Sequence, residues 1–383
     1  MSILQAGKSL VRSLILPRPG AYSETRRESG PLIIAGMFRT GNGLGRAARS
    51  CFEALKAEGY APRAADLSAA FNQVDLSEAV PLGPFVKRAP GTLIIFANPP
   101  EIERALMSLG LRRWDRWRII GAWSWEFAVA PASWARQAQF VSEIWAPSQF
   151  VADGFEAQYD RPVFTVPHFI PAEVAKPGPA DCGRPLSILT LADGRSSLER
   201  KNVLASVRIF RAALPAPFAA ELIVKCRNLD VAPAYARALR EAALADPRIR
   251  IIGATLNHQD QESLLDACDI LLSPHRSEGF GVHLAEAMTR GKCVIATGWS
   301  GNLQFMSQEC AALLPYSLVP LDDPAGVYPQ MRGALWAEPD LEAGARALAE
   351  LAGDAGKRSR MGAAARAAIA ERLGTKPYRQ ALG

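Results

Sequence analysis

Residues 269–302 read DILLSPHRSEGFGVHLAEAMTRGKCVIATGWSGN, and the fold follows from how this stretch is read. Residues 269–274 are a short apolar run closed by Pro274, which predicts a buried parallel strand. Residues 293–297 predict a second one. Between them, 282–290 carry Leu284 and Met288 four apart among small alanines, the pattern of a helix packed closely on a sheet, and Gly291 stops it. The order strand, helix, strand is one repeat of a parallel α/β sheet.

The loop before that helix, HRSEGFG at 275–281, follows the carboxyl end of a strand, where open α/β sheets bind ligands. Gly279 and Gly281 let the backbone approach a ligand, and the amides at a helix N-terminus favour an anion such as phosphate. Glu278 is out of place beside an anion unless it faces hydroxyl groups and accepts hydrogen bonds from them. Glu286 lies among Leu284, Ala285, Ala287 and Met288 on a helix expected to be largely buried, and a buried carboxylate needs partners. On one continuous helix the two acids would stand about 80° apart. With Glu278 in the loop they converge on one ligand. The alternative is a solvated loop charge and a paired helix charge.

The combination of SEGFG, EAM, the glycine turn and VIAT resembles the retaining glycosyltransferases of family 4, which carry a Glu-x7-Glu signature in such a segment. The resemblance implies an α/β chain of the GT-B fold, with two Rossmann-like domains and an interdomain cleft. It also implies that Glu278 contacts the transferred sugar and Glu286 the ribose of a nucleotide. The amides of Gly279, Phe280 and Gly281 then lie near the sugar and phosphates.

At 383 residues, 49% hydrophobic and 21% charged, the chain is long enough for two domains and is not expected to be disordered in bulk. A net charge of +6, from 44 basic and 38 acidic residues, suits anionic partners: a nucleotide sugar or an anionic membrane surface. No dense basic stripe interleaved with aromatics supports nucleic acid as a partner. Six cysteines (Cys51, Cys182, Cys226, Cys268, Cys293, Cys310) are scattered without a CxxC pair, which reads as core residues in a reducing compartment. No run approaches about 18 apolar residues, and the N-terminus lacks a signal-peptide core with a small-residue cleavage site, so a cytoplasmic protein is expected.

The chain divides at changes of pattern. In 1–30, Ile3, Leu10, Leu14 and Ile15 share one helical face with Lys8, Arg12 and Arg18 around it, a segment suited to an anionic membrane or to packing on the protein itself. Residues 31–171 form a first domain. Its strand at 31–36 leads through the glycine loop 37–46 into a helix, the geometry of a phosphate site, and Gly43 and Gly45 are the candidate residues. The spacing is GxGxG and not the GxGxxG of dinucleotide enzymes, so hydride transfer is poorly supported. A purely structural turn is the other reading.

Further strands are expected at 92–98, 118–123, 143–148 and 162–168, with Ser148 capping the helix after the third. Trp125 and Glu126 follow the strand at 118–123; an aromatic face with a carboxylate suits sugar recognition. The segment GAWSWEFAVAPASW resembles one branch of family 4, which places both in the acceptor half of the cleft. Trp125 by itself reads as core. His168 reads as a hydrogen-bonded hinge histidine and not as a base.

Residues 172–185 (AEVAKPGPADCGRP) are the linker, 186–360 a second domain and 361–383 a C-terminal helix expected to pack back on the first. The second domain opens with a strand at 186–191 and a loop ending in Arg200 and Lys201, ahead of a helix at 203–213. A loop turning into a helix there adds two cations to the amides, which suits a diphosphate. By resemblance these two bind the donor diphosphate, with Arg195 competing for the arginine role. Lys225, near the end of a strand at 221–226, is a secondary nucleotide candidate.

The reaction expected is transfer of a hexose, with mannose suggested by the branch bearing WSWE, RKN and GWSGN, from a nucleotide-diphosphate sugar to a glycan or lipid-linked acceptor in bacterial surface polysaccharide or lipopolysaccharide assembly. Glu278, Arg200 and Lys201 are the expected catalytic residues. No Asp-x-Asp pair ends a strand, so no metal or other cofactor is expected. A GT-B epimerase or hydrolase and a non-catalytic assembly subunit are the alternatives.

Overall fold

The computed structural model describes residues 16, 18, 19, 30–74, 91–110, 117–171, 183–331, 333–374 and 376–383. The amphipathic helix expected within 1–20, Cys182 and residues 172–182 of the expected linker lie outside them. The chain forms two units, Met1–Phe169 with Lys376–Gly383, and Ile170–Thr375.

The first unit is built on six parallel strands: β1 (Leu32–Gly36), β2 (Arg63–Asp66), β3 (Thr92–Phe96), β4 (Arg118–Ala122), β5 (Glu143–Ala146) and β6 (Val163–Thr165). Their order is β2-β1-β3-β4-β5-β6, so the chain reverses direction across the sheet between β1 and β3. The continuous runs LIIAG and TLIIF belong to central strands covered on both faces, as parallel sheets require, and Ile33, Ile34, Leu93, Ile94 and Ile95 are buried. The expected strand at 162–168 contracts to Val163–Thr165. Ser148 caps the helix Gln149–Glu156, its hydroxyl accepting the Val151 amide.

The second unit repeats the plan with β7 (Leu186–Asp193), β8 (Ala220–Arg227), β9 (Ile249–Ile252), β10 (Ile270–Ser273), β11 (Cys293–Thr297) and β12 (Ala312–Leu314), in the order β12-β11-β10-β7-β8-β9. All neighbours are parallel. Successive residues of one strand go to opposite cores. Ile188, Leu222, Ile270, Leu272 and Ile295 pack with Val207, Phe210 and Leu348. Leu189, Ile223, Leu271 and Val294 pack with Leu284, Met288, Ala365 and Ile369. Helices therefore cover both faces, and the reversal of strand order lies between β7 and β10.

Gly291, at φ +70°, ends the helix Val282–Thr289, and a Cβ on Gly362 would stand 2.0 Å from its carbonyl oxygen. That close approach docks the long helix Ala355–Leu373 on Val282–Thr289. This is where the structure departs from the expected tail. Both alanine-rich helices, Leu341–Gly353 and Ala355–Leu373, stay with the second unit, and only Lys376–Gly383 with the helix Pro377–Leu382 joins the first.

An antiparallel pair, β13 (Tyr316–Pro320) with β14 (Leu335–Pro339), follows β12. Sequence pattern did not reveal it, because it is half exposed and lacks an alternating apolar face. The five described cysteines are buried free thiols, and burial pushes Cys226 up to about 11 and Cys268 to about 12, as expected of inert core residues.

Candidate active site of the second unit

Three loops at the carboxyl ends of the second sheet meet beside its point of reversal: 194–202 after β7, 274–281 after β10 and 298–304 after β11. Ser197 caps a single helical turn, Leu198–Lys201, by accepting the Arg200 amide at 3.2 Å. Asn202, at φ +54°, then breaks the chain away from the helix Val203–Ala213. Arg200 and Lys201 thus close a short turn of their own and do not open the long helix.

The central loop is held by buried polar groups. His275 is fully buried, its Nδ1 3.0 Å from the Ser273 carbonyl oxygen and its Nε2 3.2 Å from Asn302 Oδ1. Burial chiefly lowers its pKa, and its two ring contacts brace the loop. The Glu278 amide donates to Ser300 Oγ at 2.8 Å, and the Gly301 amide donates to the Glu278 carbonyl at 2.8 Å. A Cβ on Gly301 would stand 2.0 Å from the Gly279 oxygen, so the GWSGN turn braces SEGFG at a distance only glycine permits. That turn opens only the short 3-10 segment Gly301–Gln304.

This framework brings Glu278, Arg200 and Lys201 together. Arg200 and Glu278 are 2% and 6% exposed, and Arg200 Nη1 lies 3.3 Å from Glu278 Oε2. The Lys201 ammonium pairs with Glu278 Oε1. Arg200 also donates from Nη1 to the Ser277 carbonyl at 2.7 Å, from Nη2 to Ser196 Oγ at 2.7 Å and from Nε to the Tyr328 hydroxyl at 2.9 Å. Burial pushes the Glu278 carboxyl up, but Lys201, then Arg200, His283 and His275 outweigh it and hold it well below the usual carboxylate range. One carboxylate thus lies between two cations, a concentration of positive charge suited to an anionic ligand.

The other expected residues of this unit take different places. Gly281, at φ +87°, precedes the helix Val282–Thr289 and Gly279 lies in the same loop, while the Phe280 ring packs on Phe305 at 5.0 Å in the core, leaving only its backbone for a ligand. Glu286 is half-buried on that helix. Lys225 is buried and donates to the Ala254 carbonyl at 2.7 Å, with its pKa lowered mainly by burial, so it serves the β8 end as a structural donor. Arg195 is exposed, and the arginine beside Glu278 is Arg200.

The first-unit candidates fare differently. Asn42 caps the helix Gly43–Ala57 by accepting the Gly45 amide at 2.8 Å, and Arg49 ties down the Phe38 and Thr40 carbonyls. A Cβ on Gly45 would meet the Met37 oxygen at 2.5 Å, whereas one on Gly43 meets nothing within 4 Å. Gly45 therefore serves the turn's own packing. Trp125 does not offer a face to a sugar: it is buried against Trp134 at 4.8 Å and Phe127 at 5.7 Å, and its indole N–H donates to the Val129 carbonyl. The apolar surroundings of 127–134 drew it inward. Glu126 beside it is half-buried. His168 is buried, which lowers its pKa to about 4.

Sequence reading did not single out His275, Ser300, Asn302 or Tyr328. The first three stand in the quoted stretch but carry no spacing rule. Tyr328 lies in LDDPAGVYPQMRG, where turn residues hide any periodicity. Among the described residues no cluster of His, Cys, Asp and Glu has the grouping of a metal site, and no helix is long and apolar enough to cross a membrane.

Residues 190–352, which contain every member of this cluster, match the family described as "Glycosyl transferases group 1". No curated protein sequence matches the chain. Among solved structures, a sucrose-phosphate synthase from Thermosynechococcus elongatus is similar with a TM-score of 0.66, 14% identity, and coverage of 92% of this chain and 98% of that one. WaaG, a glycosyltransferase involved in lipopolysaccharide biosynthesis, is similar at 0.57 and 16%, with 92% and 98% covered. A TarM variant of S. aureus in complex with Fondaparinux, α-GlcNAc-glycerol and UDP is similar at 0.56 and 12%, with 76% of this chain covered. This chain spans about half of TarM's length, 54%. Two parallel six-stranded units of this kind, with a group 1 glycosyl transferase match across the second, are the GT-B fold.

Proposed function

We propose that the protein is a retaining glycosyltransferase of family 4 that moves a hexose from a nucleoside-diphosphate sugar to a glycan or lipid-linked acceptor in bacterial surface polysaccharide or lipopolysaccharide assembly. The observation that carries the proposal is the buried Arg200–Glu278–Lys201 cluster inside the matched segment, two cations about one carboxylate. Charge builds on the leaving diphosphate as the glycosidic bond breaks, and fixed cations in a low-dielectric site stabilise it without reorganising. Glu278, held ionised, favours the positive character that develops on the sugar ring. Glu286 takes the ribose, and the backbone of 279–281 the phosphates.

On this proposal Glu126 and the turn at Gly43 belong to the acceptor side, no metal is required, and the enzyme works in the cytoplasm against the inner face of the membrane. Mannose is the first sugar to test. A thermal-shift screen of nucleotide sugars finds the donor, since a ligand at 100 times its dissociation constant stabilises by about 2.7 kcal/mol. Turnover with membrane-extracted acceptor, followed by mass and anomeric configuration of the product, then tests the reaction. Wild type should transfer with retention, and Glu278→Ala should bind donor but transfer little. Full turnover by Glu278→Ala removes Glu278 from the mechanism, and release of free sugar without acceptor replaces transfer by hydrolysis.

A further inference from the structure

We propose that Tyr328, carried on the loop between β13 and β14, is a positioning residue that sets the Arg200 guanidinium for the donor diphosphate. The inference rests on the reading of the site given above and adds to it an element that neither the resemblance nor the sequence pattern indicated.

The β13–β14 ladder runs from the pair Tyr316 and Pro339 to the pair Pro320 and Leu335, and the Leu321 amide extends it to the Ala334 carbonyl at 2.8 Å. The loop beyond is internally braced. The Gly326 amide donates to the Asp323 carbonyl at 3.0 Å, the Tyr328 amide to Asp323 Oδ2 at 2.6 Å, and the Met331 amide to the Tyr328 carbonyl at 3.0 Å. These bonds turn Tyr328 inward, where it is 7% exposed, and its hydroxyl accepts from Arg200 Nε at 2.9 Å.

The base of the same hairpin grips the two neighbouring loops through Arg276. The Ala337 amide donates to the Arg276 carbonyl at 2.9 Å, and Arg276 Nε pairs with Glu338 at 2.6 Å. The Arg276 guanidinium lies 5.1 Å over the Trp336 ring and donates to the Glu199 carbonyl at 2.7 Å. The Arg276 amide donates to the Arg200 carbonyl at 2.8 Å. The hairpin is therefore fastened to the backbone beside Arg200 and Glu278, and Tyr328 adds a contact to the Arg200 side chain.

A guanidinium is planar, and Nε carries a single N–H whose direction fixes the plane. With Nη1 on the Ser277 carbonyl, Nη2 on Ser196 and Nε on Tyr328, the plane is pinned at three points. Loss of the hydroxyl frees the third. The group then tilts, and the direction in which it presents its charge to the diphosphate, which depends on that plane, changes.

The test titrates UDP, GDP, ADP and dTDP calorimetrically into the full chain and follows whichever binds the wild type most tightly. Tyr328→Phe should weaken that affinity about tenfold, the scale of a hydrogen bond to a charged group, with far-UV circular dichroism unchanged. Asp323→Asn, at the loop and away from the cluster, should act in the same direction by less. In an Arg200→Lys background, which has no Nε–H, Tyr328→Phe should have no further effect. Unchanged affinity in Tyr328→Phe overturns the proposal, as does an equal loss in both backgrounds, which would make Tyr328 an independent contact. If none of the four diphosphates binds the wild type, the reading of the site fails and the positioning role falls with it. Tight binding insensitive to Tyr328 sinks the positioning role alone.

Discussion

Replacing Glu143 by glutamine should destabilise the first unit more than any surface change in the protein. Glu143 is fully buried at the start of β5, and Arg118 of β4, 9% exposed, meets it with two bonds, Nε to Oε2 at 3.2 Å and Nη2 to Oε1 at 2.9 Å. Trp145 Nε1 donates to the same carboxylate at 2.9 Å. Arg118 also donates to the Ala381 and Leu382 carbonyls at 2.9 and 3.0 Å, tying the helix Pro377–Leu382 to the sheet. Burial raises the Glu143 pKa against the opposing hydrogen bond and charge of Arg118, so the carboxylate is held there at a desolvation cost. Removing the acid leaves a buried guanidinium with neutral acceptors only, which costs about 3–5 kcal/mol. With a urea m-value of about 2 kcal/mol/M, the midpoint should fall by roughly 2 M. Urea titrations read by tryptophan fluorescence and far-UV circular dichroism measure it. The double variant Arg118→Met, Glu143→Leu should recover most of the loss, because two apolar side chains leave no stranded charge. A midpoint shift below about 0.3 M in Glu143→Gln, or a double variant as unstable as the two single changes added together, would refute the reasoning.

Gly301→Ala should lose several kcal/mol of stability and abolish turnover, because its Cβ would stand 2.0 Å from the Gly279 oxygen and 2.8 Å from the Glu278 oxygen; Gly43→Ala, with open space around it, should be neutral or stabilising by up to about 1 kcal/mol in thermal melts. His168 stays neutral in the folded protein down to about pH 4, whereas in the unfolded chain it takes a proton below about pH 6.5. The unfolded state thus binds more protons in that window, so stability falls with pH from 6.5 and levels off below 4, by about 3 kcal/mol in all. His168→Gln should flatten that part of the curve in urea titrations at several pH values. Glu278→Gln should raise affinity for a nucleoside diphosphate, by removing the anion between Arg200 and Lys201, while lowering turnover at least about a hundredfold. Calorimetry and initial rates separate the two effects, and weaker diphosphate binding would contradict the charge argument.

What the sequence disclosed depended on periodicity and on glycine. The strand at 293–297 and the helix at 203–213 lie where the apolar runs place them, because buried parallel strands and sheet-packed helices leave few alternatives. The edge strand Arg63–Asp66 and the pair β13–β14 did not announce themselves, since half-exposed strands need no continuous apolar run. At the site, spacing alone did not show that Glu278 bonds directly to Arg200 and Lys201, 78 and 77 positions earlier in the chain. Contacts between loops of different strands depend on how far each loop leans, which local pattern does not encode. Trp125 shows the converse: the acid at its side made it look like a sugar platform, and its aromatic neighbours buried it.

The segment Lys376–Gly383 completes a unit whose last strand, β6, ends at Thr165, so about 200 residues of intervening chain separate the two parts. Synthesis at about 5–20 residues per second puts roughly 10–40 s between their emergence from the ribosome. Throughout that interval the nascent first unit has Arg118 without the Ala381 and Leu382 carbonyls and Trp145 without Tyr378 stacked on it. The second unit, contiguous from Ile170 to Thr375, has no such delay, and of the two units the one begun first is finished last.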